Sequence, residues 1–151
     1  GIVLPGGEST VQGKLLRDLS MYDQLKELIE AGTPVLATCA GLILLAERVS
    51  NDDRAYLKTL PVSVKRNAYG RQLGSFVTDA EIAHVGTCRM NFIRAPYIDE
   101  ILDPQVETLA IVDGNTVAVR YKNQLALSFH PEVSEDARVH AYFLNEIVQG
   151  V

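Results

Sequence analysis

No apolar run in this sequence approaches the roughly 20 residues that a membrane-spanning helix needs. Nothing at its start reads as a secretion leader, with charged, apolar and small-residue parts in order. It has no basic stripe: 14 Lys and Arg stand against 19 Asp and Glu, a net charge of −5, so nothing invites nucleic acid. Two cysteines with unlike surroundings do not make a disulfide framework, and free thiols fit a reducing compartment, so the cytoplasm is expected. Those cysteines and the three histidines show no metal-ligand spacing. There is no internal repeat, low-complexity segment or linker. The 151 residues are therefore expected to form one domain, a size at which folding buries roughly 68–70% of the unfolded surface.

What is present has βαβ grammar in its first third. Short apolar strands at Gly1 to Leu4 and Pro34 to Ala37 flank Tyr22, Leu25, Leu28 and Ile29 at helical spacing. This predicts an α/β fold with a mostly parallel central sheet, helices on both faces and a site at the carboxyl ends of strands. A helix is expected from Ala40 to Val49. Beyond Asn51 the pattern turns to strands at Val62 to Lys65, Ser75 to Thr78, Cys88 to Arg94 and Val106 to Val112. Asp113, Gly114 and Asn115 then turn the chain into Thr116 to Tyr121, and LALSF (Leu125 to Phe129) reads as another strand. A last helix from about Asp136 to Val148 presents Val139, Tyr142, Phe143 and Ile147 inward.

Chemistry enters at Cys39, in the run from Ala37 to Ala46, and at His130, Pro131 and Glu132. A cysteine at a strand-to-helix turn is exposed on an elbow, with the amide of the next residue, Ala40, where an oxyanion would form. The helix start adds a partial positive charge that favours thiolate, and Ala37, Ala40 and Gly41 suit so tight a turn. The plainer reading of Cys39 alone is a buried structural thiol. His130 and Glu132 shift the balance toward chemistry, because residues two apart on an extended segment face the same side. Pro131 between them restricts how far the pair drifts. A nucleophile, a base and an orienting acid are thus all spelled out. His84 and His140 read as surface residues, and Cys88, inside a strand, as packing.

The opening GIVLPGGEST places a strand before a sharp Gly6-Gly7 turn and a helix start. The Gly7 amide is placed to serve as a second oxyanion donor, and Glu8 to meet a substrate ammonium group. Ser9 or Thr10 equally reads as a helix N-cap. This is not the phosphate-binding GxxxxGK pattern, since no lysine stands at the required place.

Taken together, PGGEST, TCAGLILLA, RNAYGRQ (Arg66 to Gln72), FIRAP (Phe92 to Pro96) and SFHPE (Ser128 to Glu132) closely resemble the family of glutaminase subunits of bacterial-type pyridoxal phosphate synthase. The resemblance runs along nearly the whole chain. It implies a three-layer, flavodoxin-like fold of the class I glutamine amidotransferase kind, and hydrolysis of L-glutamine to glutamate and ammonia through a cysteine thioester. Cys39 is then the nucleophile, His130 the general acid and base, and Glu132 the residue that orients it. Gly7 and Ala40 form the oxyanion hole. Gly7, Glu8, Ser9, Arg66, Ile93 and Arg94 form the glutamine pocket, where arginine grips an α-carboxylate and an acid answers an α-ammonium. Without the resemblance, Arg66, Arg71 and Arg94 read as surface charge.

The resemblance also implies a partner, the synthase (lyase) subunit, in a hetero-oligomer that receives the ammonia and switches the glutaminase on. Pyridoxal phosphate is then a product of the complex, and no cofactor is expected on this chain. Members of the family carry a strand, helix and strand before the strand that leads into PGGEST, so the chain reads as lacking that unit, with a stability deficit expected from the unpaired ladder. Ala37 stands where many relatives have glycine and should fit unless its φ is positive. Two other readings remain: another cysteine-dependent amidotransferase or peptidase of the same fold, and a non-catalytic partner-binding module.

Overall fold

The computed structural model describes residues 1–66 and 75–150. The chain opens with β1 (Ile2–Leu4), α1 (Ser9–Asp18), α2 (Tyr22–Glu30), β2 (Val35–Thr38) and α3 (Ala40–Leu45). It continues through β3 (Ala46–Val49), β4 (Leu60–Lys65), β5 (Ser75–Ile82), β6 (Gly86–Ile93) and β7 (Tyr97–Ile101). Then come β8 (Glu107–Val112), β9 (Asn115–Tyr121), β10 (Gln124–Leu127) and α4 (Arg138–Tyr142), which widens into a π-helical stretch at Phe143–Val148. Among the described residues an eight-stranded sheet runs in the order β1-β2-β10-β9-β7-β4-β3, with β8 also on β9, while β5 and β6 form a separate hairpin.

The fold is α/β as expected, and its sheet is mixed. The expected βαβ unit is there: β1, β2 and β10 are parallel, with Ile2 opposite Val35 and Val35 opposite Gln124. Beyond β10 the pairs β10/β9, β9/β7, β7/β4 and β8/β9 are antiparallel. Tight turns make this arm possible. Asp113 and Gly114 have φ of 51° and 79° and stand between paired Val112 and Asn115. Positive φ at both central residues is what the twist-compatible two-residue hairpin requires.

Side-chain alternation along β2 splits the core in two. Val35 and Ala37 pack with Leu42 and Leu45 of α3 and Ile29 of α2. Leu36 points the other way, with Leu125 and Leu127, toward Val139, Tyr142, Phe143 and Ile147 of the last helix. Helices therefore cover both faces, and the four inward residues expected of that helix are all buried. In α2, Tyr22, Leu25 and Ile29 face the core, but Leu28 is exposed.

Several boundaries differ from expectation for tertiary reasons. The helix after Cys39 stops at Leu45 rather than Val49, because the Leu44 and Leu45 carbonyls accept from the Leu57 and Thr59 amides at 2.9 and 3.0 Å. Ala46–Val49 then becomes β3, parallel to β4. The last helix begins at Arg138 because Asp136 turns back to accept the Arg138 amide at 3.0 Å. Strand β7, starting just after FIRAP, carries no alternation long enough to announce it. Ala37 lies within β2 and is not among the positive-φ residues, so alanine fits there without strain.

Candidate functional site

Cys39 is the N-cap of α3 with φ 51° and ψ −104°. That is left-handed backbone on a residue with a β-carbon, which costs on the order of 1–3 kcal/mol and persists only where its surroundings hold it. They do so here through the Cys39 amide, which donates to Leu127 O at 2.8 Å, and through a wholly buried α3. The expected elbow is formed. Cys39 is 6% exposed, with Sγ 3.9 Å from Ile93 O.

Its acidity departs from expectation. Burial pushes the Cys39 thiol up to about 11; the Ala40 amide pulls it down and the Glu132 carboxylate adds to the rise. α3 is six residues long, too short for its dipole to overcome that desolvation. The resting state is a neutral thiol, so a base must take its proton. Alkylation of Cys39 in the isolated chain should accordingly accelerate about tenfold per pH unit from pH 8 to 10. A plateau near neutral pH, measured by intact mass, would contradict this.

His130 and Glu132 meet as expected but by a different geometry. Pro131–Val133 is a single 3-10 turn rather than extended chain, and it brings His130 Nδ1 to 2.6 Å from Glu132 Oε1. A carboxylate on Nδ1 fixes the tautomer and leaves Nε2 for chemistry. The His130 amide donates to Asn91 O of β6 at 2.8 Å, so the β5/β6 hairpin holds the backbone of this turn.

A cleft of about 570 Å³ is lined by Gly7, Glu8, Ser9, Cys39, Ala40, Ile43, Arg66, Ser75, Ile93, Arg94 and His130. All the residues expected to bind or react stand on it except Glu132, which lies behind His130. Gly7 has φ 141° and Arg94 φ 46°. Ser9 Oγ is buried with no partner among the described residues. Arg71 and the rest of RNAYGRQ beyond Arg66 lie outside the described residues.

Glu8 and Arg66 are paired with each other. Glu8, rather than Ser9 or Thr10, is the N-cap of α1: its Oε2 accepts from the Val11 amide at 2.9 Å and from the Thr10 hydroxyl. Its Oε1 accepts from Arg66 Nη2 at 2.9 Å. The Thr10 hydroxyl, first of several causes, holds the Glu8 carboxyl below the usual range. Arg66 Nη1 donates to Asp52 at 2.8 Å. The Asn51 side chain grips the Arg66 backbone at both N–H and C=O, each at 3.0 Å.

Asn51 and Asp52 were not legible as site residues; the Asn-Asp-Asp run reads only as a turn. A guanidinium has five N–H donors, so Arg66 keeps donors for a carboxylate while held on both sides. Asp52→Asn, which loosens that hold, should raise KM for a substrate gripped by Arg66 roughly fivefold and leave kcat nearly unchanged. An unaltered KM in steady-state assays would contradict the role.

The other sequence candidates fall elsewhere. His84 Nε2 lies 2.6 Å from Glu107 Oε1 on the surface, and Cys88 is buried within β6. Among the described residues no group of three or more His, Cys, Asp or Glu is placed to hold a metal, and no helix is long and apolar enough to cross a membrane.

Known proteins are similar to this chain along nearly its whole length. Pyridoxal 5'-phosphate synthase subunit PdxT of Desulfitobacterium hafniense is 61% identical over 150 residues, covering 99% of this chain and 75% of that protein. The protein of the same description from Methanocorpusculum labreanum is 54% identical, covering 99% and 78%. A crystal structure of a glutamine amidotransferase superposes with a TM-score of 0.89 at 42% identity, covering 99% of this chain and 78% of that one. The SNO glutamine amidotransferase family model matches residues 1–149. With the elbow cysteine, the His–Glu pair and the shared cleft in place, the chain belongs to the SNO glutamine amidotransferase family.

Proposed function

We propose that this chain is a single glutaminase domain that hydrolyses L-glutamine and supplies the ammonia to the lyase subunit of a pyridoxal 5'-phosphate synthase, in a cytoplasmic hetero-oligomer. The carrying observation is one cleft that holds a buried elbow thiol, a carboxylate-oriented imidazole, and an acid and a guanidinium at hydrogen-bond distance from each other.

Free glutamine presents an α-ammonium and an α-carboxylate. Glu8 answers the first and Arg66 and Arg94 the second, so the amino acid is read by both charged ends. The side-chain amide then lies against Cys39. Because the thiol rests neutral, His130 takes its proton as sulfur attacks the amide carbon. The C–N bond breaks as His130 returns that proton to the leaving nitrogen, which departs as ammonia. Water, deprotonated by His130, attacks the thioester and releases glutamate and the thiol. The amides of Gly7 and Ala40 face the oxyanion of both tetrahedral intermediates.

The family resemblance carries the further reading that the chain works poorly until the synthase subunit docks. The test is release of glutamate and ammonia from glutamine with and without that subunit, beside intact-mass labelling by an electrophilic glutamine analogue. Adduct on Cys39 that glutamine suppresses, with hydrolysis stimulated by the partner, is the expected result. No adduct and no ammonia in either condition would overturn the proposal.

A further inference from the structure

We propose that Gly6 is a positioning residue of this site, its bare Cα forming the seat against which the His130 imidazole is set. The inference rests on the reading that His130 carries the proton of Cys39. A β-carbon on Gly6 would lie 2.3 Å from His130 Cε1, 3.1 Å from Nδ1 and 3.3 Å from Nε2. Non-bonded carbon atoms rest about 3.5–4.0 Å apart, so no side chain fits there while the ring stays.

The ring is held against yielding. Its residue is pinned by the amide bond to Asn91 O at 2.8 Å, its Nδ1 is engaged by Glu132 at 2.6 Å, and its side chain is only 12% exposed. The loop is held from the other side. Gln12 Nε2 donates to both Pro5 O and Gly6 O at 3.2 Å, tying the turn to α1. Just before it, Leu4 pairs with Ala37 of β2. With both partners fixed, their contact decides where Nε2 faces in the cleft.

Gly6 and Gly7 are therefore glycines for different reasons. Gly7 has a φ of 141° that other residues rarely adopt, whereas Gly6 is not among the positive-φ glycines. At Gly6 the requirement is space. Gly6 is also not among the residues lining the cleft, so it acts through His130 rather than by touching substrate.

Gly6→Ala, assayed with the synthase subunit present, should lower kcat about 100-fold, the cost of misplacing a catalytic group by about 1 Å, with KM for glutamine changed no more than about threefold. Its pH–rate profile should shift, because the bond between His130 and Glu132 is reset. Melting gives a readout independent of activity. Gly6→Ala should lower Tm in the wild-type chain but leave it nearly unchanged in a His130→Ala background, the coupling expected of two residues in contact. Gly114→Ala is the control: Gly114 has φ 79° and, among the described residues, nothing within 4 Å of an added β-carbon, so it should lose stability while kcat stays.

A Gly6→Ala kcat within twofold of wild type, or a Tm loss of equal size with and without the His130 ring, would overturn the proposal. If the wild-type chain releases no ammonia from glutamine, the functional reading fails, and the melting cycle still decides the Gly6–His130 contact.

Discussion

Cys39→Ala is expected to abolish ammonia release from glutamine, by at least ~10³-fold, because no other group on the cleft can form the thioester. The other cysteine, Cys88, is buried in β6 and is not on the cleft. The fold should survive. Alanine keeps the Cys39 amide bond to Leu127 O and inherits, without worsening, the φ of 51°. Cys39→Gly should be equally inactive yet melt higher than Cys39→Ala, since glycine adopts that backbone without the 1–3 kcal/mol strain; after its greater unfolded-state entropy, a net gain of about 1 kcal/mol remains.

The thiol also links stability to pH. Its acidity in the folded chain is weakened from 9.0 to about 11, so folding favours the protonated form. That contribution is full below pH 9 and is lost as pH rises through about 11. Melting curves of the wild-type chain should therefore fall across this window more steeply than those of Cys39→Ala. Measurable glutaminase activity in Cys39→Ala would sink the assignment, and parallel alkaline curves would sink the linkage.

Gly41→Ala is expected to damage the fold more than any other single methyl in this region. An added β-carbon would lie 2.2 Å from Leu4 O and 2.9 Å from Leu4 C. Both atoms are backbone and neither can swing aside. β1 is held in register with β2, and every residue of α3 is buried. Relief must come from moving α3 off β1, at a cost near the top of the usual overpacking range, ~3 kcal/mol. At about 2–4 °C per kcal/mol for a chain of this size, Tm should drop by about 6–12 °C. Activity should fall with it, because Cys39 and Ala40 ride on the N-terminal end of the same helix. A melt within about 2 °C of wild type would show that the β1–α3 contact is softer than its geometry implies.

Gly41 also separates what a sequence displays from what it conceals. Within TCAGLILLA it reads as one of several small residues that suit a tight turn, but its need for hydrogen arises from Leu4, a residue far off in the chain. The same holds for Gly6 against His130, and for Asn51 and Asp52 against Arg66. In each case the residue type is visible and the partner is not. The helix expected to reach Val49 fails likewise: its apolar run is locally helical, yet the carbonyls at its end are taken by Leu57 and Thr59.

By itself the sequence determined what rests on short separations and on side-chain chemistry. These are the strand-turn-helix at Cys39, the neighbouring His130 and Glu132, the Gly6-Gly7 turn, the βαβ order of the first third and the inward face of the last helix. Local spacing sets each of them, through backbone dihedrals and the periods of strand and helix. The tertiary structure alone decided the antiparallel arm of the sheet, the 3-10 turn that joins His130 to Glu132, and the pairing of Glu8 with Arg66. It also decided the neutral state of the Cys39 thiol, since the desolvation that weakens its acidity comes from surfaces brought together only when distant segments close over the elbow.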